Sequence, residues 1–276
     1  MELTRYGLWV SQRILDDQSS ARAAALAEEL GFGALWIGAS PRLPSLRPLL
    51  EAGERIVIAT GIVNVWQYDP AALAADFAEL ESEFPGRLLV GIGIGHPEAT
   101  SEYRRPLAKM TEFMDGVDSA PAPIPADRRC LAALGPKMLD LSAQRSLGTH
   151  PYFTPVAHTR FARQRLGAGP LVAPELSCVV GPDPDRERAR AFAARYLRMS
   201  NYASNLLRFG FEPADVEHGG SDRLIDAVVP QGSPEHVAER ARAHLDAGAD
   251  HVCVQPVGAT ELPEPEWRSL AGALLG

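Results

Sequence analysis

Cysteine is scarce in this chain: its 276 residues include three, Cys130, Cys178 and Cys253. An odd number set far apart excludes a disulfide framework, and no metal-ligand spacing involves them. Each lies in an apolar segment (CLAAL, LSCVV, HVCVQ), as a small hydrophobe inside a strand would. Long hydrophobic runs are missing too. No stretch approaches the roughly 20 apolar residues of a membrane span, and residues 1–12 lack the charged start, apolar run and cleavage site of a signal peptide. The expectation is a cytoplasmic protein with no membrane partner. Positive charge is outnumbered, 27 Lys and Arg against 35 Asp and Glu for a formal −8. Nucleic acid is therefore not expected as a partner, because backbone binding needs a concentrated basic face. The histidines contain no metal-ligand pair and no Ser/His/Asp set is recognisable, which disfavours metal and covalent catalysis.

What is present is a rhythm. Short β-rich apolar runs alternate with longer Ala/Leu/Arg/Glu stretches of helical spacing. Strands are expected over 6–10, 34–38, 56–65, 87–96, 130–135, 150–153, 176–181 and 251–257. Helices are expected over 20–30, 45–52, 70–84, 103–117, 136–147, 155–166, 185–209 and 234–247. Several strands are apolar on consecutive residues (IVIATGIV, LLVGIGIG), as when both faces of a parallel strand are covered. The connection after the seventh strand, 183–232, is long enough for at least two extra helices and a Gly219-Gly220-Ser221 turn; such insertions usually overlie a barrel mouth. Eight strand–helix units fit either a closed (β/α)8 TIM barrel or a doubly wound sheet, in one domain over 1–276. Gly91, Gly93 and Gly95 depart from the GxGxxG dinucleotide spacing and read better as a strand that approaches a planar ring or bends at the barrel wall.

In a barrel the reactive groups come from the carboxyl ends of the strands. That rule selects Gly38-Ala39-Ser40, Thr60-Gly61-Ile62 with Asn64, Gly95-His96-Pro97, Leu134-Gly135-Pro136-Lys137 and Pro151-Tyr152-Phe153. A strand followed by Gly135-Pro136 and a helix leaves free N–H groups at the helix start. This can bind phosphate or carboxylate, with Lys137, Arg145 or Arg160 adding charge, or be an ordinary solvated junction. His96 is the rim histidine that follows the glycine-lined strand and could exchange a proton beside a hydride acceptor, although a lone histidine is more often structural. His150 and His251 open strands and so belong to the opposite, stability face, while His158, His218, His236 and His244 read as surface or helix residues. Trp66 and Tyr152 are the aromatics best placed to line a pocket.

An ordered set of segments, AEELGFGALWIGAS (27–40), RIVIATGIVNVWQYDPAALAADFAELESEFPGRLLVGIGIGHP (55–97), LAALGPKMLDLSAQRSLGTHPYF (131–153) and AGADHVCVQ (247–255), resembles the luciferase-like monooxygenase superfamily, and within it the F420-dependent oxidoreductases of actinobacterial type. The resemblance implies hydride transfer between the deazaflavin coenzyme F420 and a small organic substrate, in a homodimer. The alternatives are FMN with oxygen, a flavin-binding barrel without turnover, or a non-flavin barrel lyase. It further implies a cofactor ring backed by Thr60, Gly61, Ile62, Asn64 and Gly95, with a cis peptide between Gly61 and Ile62. The phosphate would lie at Gly135, Pro136, Lys137 and Met138, and a substrate pocket at Ser40, Trp66 and Tyr152. His96 falls where some relatives carry an acidic catalytic residue, and Ala39-Ser40 replaces an acidic residue and histidine that many relatives have after strand two.

Overall fold

Several helices begin where a side chain can satisfy free N–H groups. Asp16 accepts from Ser19 N–H at 2.8 Å and opens α1 (Asp17–Glu29); Asp69 accepts from Ala71 and Ala72 N–H and, with Pro70 in the first turn, opens α3 (Pro70–Glu83). In the computed structural model, which describes residues 1 and 3–276, these helices wrap a ring of parallel strands. In chain order the strands are β1 (Tyr6–Ser11), β2 (Ala34–Gly38), β3 (Val57–Thr60), β4 (Val63–Asn64), β5 (Leu88–Gly93), β6 (Arg129–Leu131), β7 (Gly148–Thr149), β8 (Leu171–Val172), β9 (Glu175–Val180), β10 (Gln231–Gly232) and β11 (Val252–Pro256). The remaining helices are α2 (Arg47–Ala52), α4 (Pro106–Asp118), α5 (Pro136–Arg145), α6 (Val156–Leu166), α7 (Arg186–Leu197), α8 (Ser200–Arg208), α9 (Pro213–Val216), α10 (Asp222–Val228), α11 (Pro234–Asp246) and α12 (Glu264–Leu275).

The pairing runs β9-β11-β1-β2-β3-β5-β6-β7-β8, and β8 and β9 are two pieces of one extended segment, so the path closes. Ala173 N–H donates to Thr149 O at 2.9 Å on one side of that segment, and Cys253 N–H donates to Pro174 O at 3.1 Å on the other. The result is the expected (β/α)8 TIM barrel, with β3 and β4 forming the third strand around the Gly61–Ile62 cis peptide. Alternate residues separate two layers, as the twofold repeat of a strand requires. Leu35, Ile37, Ile58, Leu88 and Val90 pack outward under the helices. Ala34, Trp36, Val57, Ala59, Leu89 and Cys253 fill the interior. Each fully buried branched or aromatic side chain contributes about 1.5–3 kcal/mol. All three cysteines are buried and free, and burial pushes their thiols up.

Several boundaries differ from expectation, each for a local reason. The third strand is interrupted at Gly61–Ile62 instead of running unbroken from 56 to 65. The sixth strand ends at Thr149, so the expected 150–153 strand is the loop that follows it. The seventh begins earlier, at Leu171, and bends at Ala173-Pro174. The expected 185–209 helix breaks between α7 and α8, at Arg198 and Met199, and the long insertion contains α7 to α10. A helix not anticipated, α12, closes the ring against α1, with Arg22 bonded to Glu264 at 2.6 Å.

Candidate active site

A cleft of about 570 Å³ opens between the carboxyl rim of the barrel and the insertion, within the roughly 300–1,000 Å³ that small-molecule and cofactor sites occupy. Its back wall is the Gly61–Ile62 bulge. The glycines of β5 admit that bulge: a Cβ on Gly91 would lie 1.9 Å from Thr60 O, and one on Gly93 would lie 2.6 Å from the Ile62 side chain. The alternating glycines therefore serve close strand approach and not a dinucleotide turn. Thr60 is fully buried and donates its hydroxyl to Gly91 O at 2.8 Å, so it clamps the wall from behind and does not line the cleft.

The rim is held by a chain of polar contacts. Ser40 Oγ accepts from Asn64 N–H at 3.0 Å, Asn64 Oδ1 accepts from Trp66 N–H at 3.1 Å, and the Trp66 indole donates to Ile94 O at 2.7 Å. Ser40, Asn64 and Gly95 line the cleft; Trp66 does not, and its ring packs beside Tyr103, which does, and beneath the Lys109 ammonium. Ala39 and Ser40 both adopt left-handed backbone, φ 68° and 56°, a geometry that costs an alanine about 1 kcal/mol or more and clusters at ligand clamps.

At one end of the cleft lies the start of α5. No side chain caps it, which leaves the Lys137 and Met138 N–H groups free for a ligand. Gly135 and Met138 line the cleft, whereas Pro136 and the exposed Lys137 side chain do not. The arginines expected there lie elsewhere: Arg145 is bonded to Asp115 at 2.8 Å and Asp118 at 2.7 Å, and Arg160 is exposed on α6, away from the cleft. Arg208 of the insertion takes their place, its Nη1 3.9 Å from where a Gly135 Cβ would be.

His96 lines the cleft and donates from Nδ1 to Asn201 Oδ1 at 3.0 Å, which leaves Nε2 as its acceptor. Burial lowers its pKa, partly offset by the Asn201 bond. Because strand six ends early, His150 is not on the stability face but in the cleft floor, against expectation. It donates from Nδ1 to Ala173 O at 2.7 Å and stacks on Trp36 at 4.0 Å, and burial pushes its pKa down to about 4. Neither its Nε2 nor the Trp9 indole nitrogen has a hydrogen-bond partner among the described residues. A Cβ on Gly61 would stand 3.1 Å from the first and 2.5 Å from the second, so both converge beneath the bulge. His251 behaves as expected at the far end, donating to Thr4 O and accepting from the Trp36 indole. His158 and His244 lie on helices as expected but are buried, not on the surface.

Tyr152 lines the cleft, donates to Gln255 Oε1 at 2.9 Å and accepts from Tyr196 of α7 at 3.0 Å. Tyr196, Asn201, Tyr202 and Arg208 all come from the insertion, and sequence reasoning named none of them. The only signal was the insertion's length. Among the described residues no cluster of His, Cys, Asp or Glu could hold a metal ion, and no helix is long and apolar enough to cross a membrane.

A family model described as luciferase-like monooxygenase matches residues 15–251. An F420-dependent glucose-6-phosphate dehydrogenase of Microbacterium testaceum is 28% identical over 125 residues, covering 37% of this chain and 37% of the relative. The chain thus aligns with little more than a third of that relative's length. Among solved structures, a coenzyme F420 dependent tetrahydromethanopterin reductase from Methanopyrus kandleri superposes with a TM-score of 0.80 at 16% identity over 99% of both chains. An F420-dependent secondary alcohol dehydrogenase, solved with an F420-acetone adduct, gives 0.76 at 16% identity over 99% of this chain and 98% of its own.

Proposed function

This chain belongs to the luciferase-like monooxygenase family, and on that premise we propose that it is an F420-dependent oxidoreductase, transferring a hydride between the deazaflavin and a small organic substrate. One observation carries the reading. The cleft joins a wall at the Gly61–Ile62 bulge to an uncapped helix start at Gly135 faced by Arg208, an arrangement suited to a planar heterocycle with an anionic tail. When bound, F420 supplies a ring carbon that accepts or releases a hydride. Gly61 and Ile62 would cover one ring face, and Asn64 and Gly95 its edge. The Lys137 and Met138 N–H groups with Arg208 would hold the tail, with the Lys137 ammonium adding charge from the solvent side. Thr60 supports this indirectly by fixing the bulge. His96, with Nδ1–H committed to Asn201, offers Nε2 to take or return the substrate proton. Ser40 and Tyr152 face the substrate. A single barrel domain over 1–276, a homodimer and a cytoplasmic location complete the reading.

Titrating the purified protein with F420 and with FMN, followed by fluorescence quenching, tests the cofactor. Saturable quenching of F420 is expected; tight FMN binding with no F420 response would replace this reading with the flavin monooxygenase one. Reduction of bound F420 by a panel of alcohol and sugar donors then separates an enzyme from a binder. His96→Ala is expected to lower the rate by about 10²-fold or more, and an unchanged rate and pH profile would remove its role.

A further inference from the structure

We propose that the substrate is an organic anion whose acid group, a carboxylate or phosphate, is held by Arg13 and Arg195 at the cleft mouth. This rests on the oxidoreductase reading above and names the substrate class for that site. The chain carries a formal charge of −8, yet the cleft is lined by Arg13, Arg195 and Arg208 and by no aspartate or glutamate. Such an inversion concentrates anions where the field is focused.

The arginines fall into two groups. Arg208 faces the Gly135 turn, and its charge acts on nearby His158. Arg13, in the short turn after β1, and Arg195, on α7 next to Tyr196, whose hydroxyl bonds Tyr152, are exposed residues that line the cleft. They come from other elements than Arg208, which ends α8.

Neither Arg13 nor Arg195 has a carboxylate or side-chain hydrogen-bond partner among the described residues. Elsewhere on α7, Arg186 bonds Asp226 at 2.9 Å and Arg190 bonds Asp222, while Arg188 has no carboxylate partner among the described residues but lies beside Gly258 and does not line the cleft. The cationic side chain of this helix that reaches the cleft is left uncompensated. Guanidinium groups favour planar oxyanions, which they bind bidentately. From Tyr196 the aromatic rings lead inward, Tyr196 to Tyr202 at 5.6 Å and Tyr202 to His96 at 5.0 Å. An acid group fixed at the mouth thus leaves the rest of a short molecule directed along this wall toward His96.

The test uses the full chain with inorganic phosphate and with lactate as separate probes, titrated calorimetrically at low ionic strength with and without F420. Saturable binding of at least one probe is expected, with phosphate and lactate distinguishing the two acid groups. Arg13→Gln/Arg195→Gln should weaken it roughly 10- to 100-fold, while Arg13→Lys/Arg195→Lys restores part of the loss. F420 quenching should be unchanged in that glutamine variant and weakened in Arg208→Gln. In turnover, lactate should outcompete 2-propanol as a donor, a preference lost in the glutamine variant through KM. Probe binding that survives the double substitution, or that only Arg208→Gln abolishes, overturns the proposal. So does loss of F420 affinity in the double variant, which would assign both arginines to the cofactor. No F420 response in the wild-type chain would defeat the oxidoreductase reading instead, and phosphate or lactate binding by the apo protein would still decide whether the arginine site exists.

Discussion

The barrel wall and the insertion that covers it are built on different terms. The wall packs one layer under the helices and another inside the ring, and its glycines let backbone touch backbone: Gly91 leaves no room for even a methyl group. The insertion has its own smaller cluster around Leu197, Tyr202, Leu206 and Ile225, joined to the barrel through Phe153, Val179 and Val257. Its Gly210 stands in an open turn, where a Cβ would meet nothing within 4 Å, and Gly219 and Gly220 approach side chains, of Arg190, Leu197 and Ile225, and not backbone. The wall supplies Gly61, Ile62, His96 and His150, which would meet any cofactor of the proposed shape. The insertion supplies Arg195, Tyr196, Asn201 and Arg208, which orient, charge and close that site. A rigid scaffold with a replaceable cover lets chemistry and specificity vary separately.

Acid should strain the barrel more than its cover. His150, His158 and His251 are buried with pKa values pushed down to about 4, and His244 to about 3. Each is neutral when folded but titrates near 6.5 when unfolded. The unfolded chain therefore binds more protons, and stability falls as pH drops from about 6.5 toward about 4, by several kcal/mol in all. Glu175 opposes this. Burial raises its pKa from 4.5 to about 8, and it bonds Ser177 and Phe153 N–H inside the barrel. Stability from this group is present below about 4.5 and lost as pH climbs to about 8. Four imidazoles outweigh one carboxyl below pH 6.5, and above it the carboxyl acts alone. Tm should therefore peak near pH 6.5, and Glu175→Gln should flatten the alkaline side. A Tm constant from pH 5 to 8 would contradict both parts.

Paired glycine substitutions sharpen the contrast. Gly91→Ala must push its Cβ against Thr60 O, where nothing flexible can yield. It should cost about 3 kcal/mol or more, lowering Tm by roughly 6–12 °C, and weaken F420 binding by displacing the bulge. Gly210→Ala has only its φ of 88° against it and should cost about 1 kcal/mol. Thermal melts of the two variants with cofactor quenching alongside would measure this; equal losses would mean that wall and cover are equally tolerant.

The same contrast explains what could be read from the sequence. Strand–helix periodicity and caps such as Asp69-Pro70 are local, so the eight strand–helix units and the place of the long insertion were legible from residue order, whereas the closed barrel was preferred to a doubly wound sheet on the family resemblance. The Gly61–Ile62 cis peptide, present in the structure, came instead from the family resemblance. Strand six begins two residues and ends four residues before the expected 150–153, because GTHPYF has no alternation to mark where pairing stops, and that error moved His150 from the floor of the cleft to the wrong face. Trp66 and Thr60 had the right address but the wrong orientation, since which way a side chain turns depends on partners, Ile94 O and Gly91 O, that are distant in sequence. Arg208 and Asn201 were illegible for the same reason. Each meets the rim only after the whole insertion has folded back over it.

The smallest expected effect on stability carries the sharpest information about the cover. Asn201→Ala removes a half-buried hydrogen bond worth about 1 kcal/mol, leaves the wall intact, and should move Tm by no more than a few degrees. Its consequence for His96 is larger. Desolvation lowers the His96 pKa and the Asn201 bond pulls it back up, so without that bond the pKa falls further. A base with a lower pKa keeps its neutral form to lower pH, and the acid limb of kcat/KM should shift downward. The rate at neutral pH should also drop, by roughly tenfold, because the ring is no longer oriented and is a weaker base. A purely structural role for Asn201 would change the rate without moving the limb. The pH profile, measured in wild type and in Asn201→Ala with F420 saturating, distinguishes the two. If the limb does not move, His96 is not the group that titrates, and the insertion covers the site without tuning it.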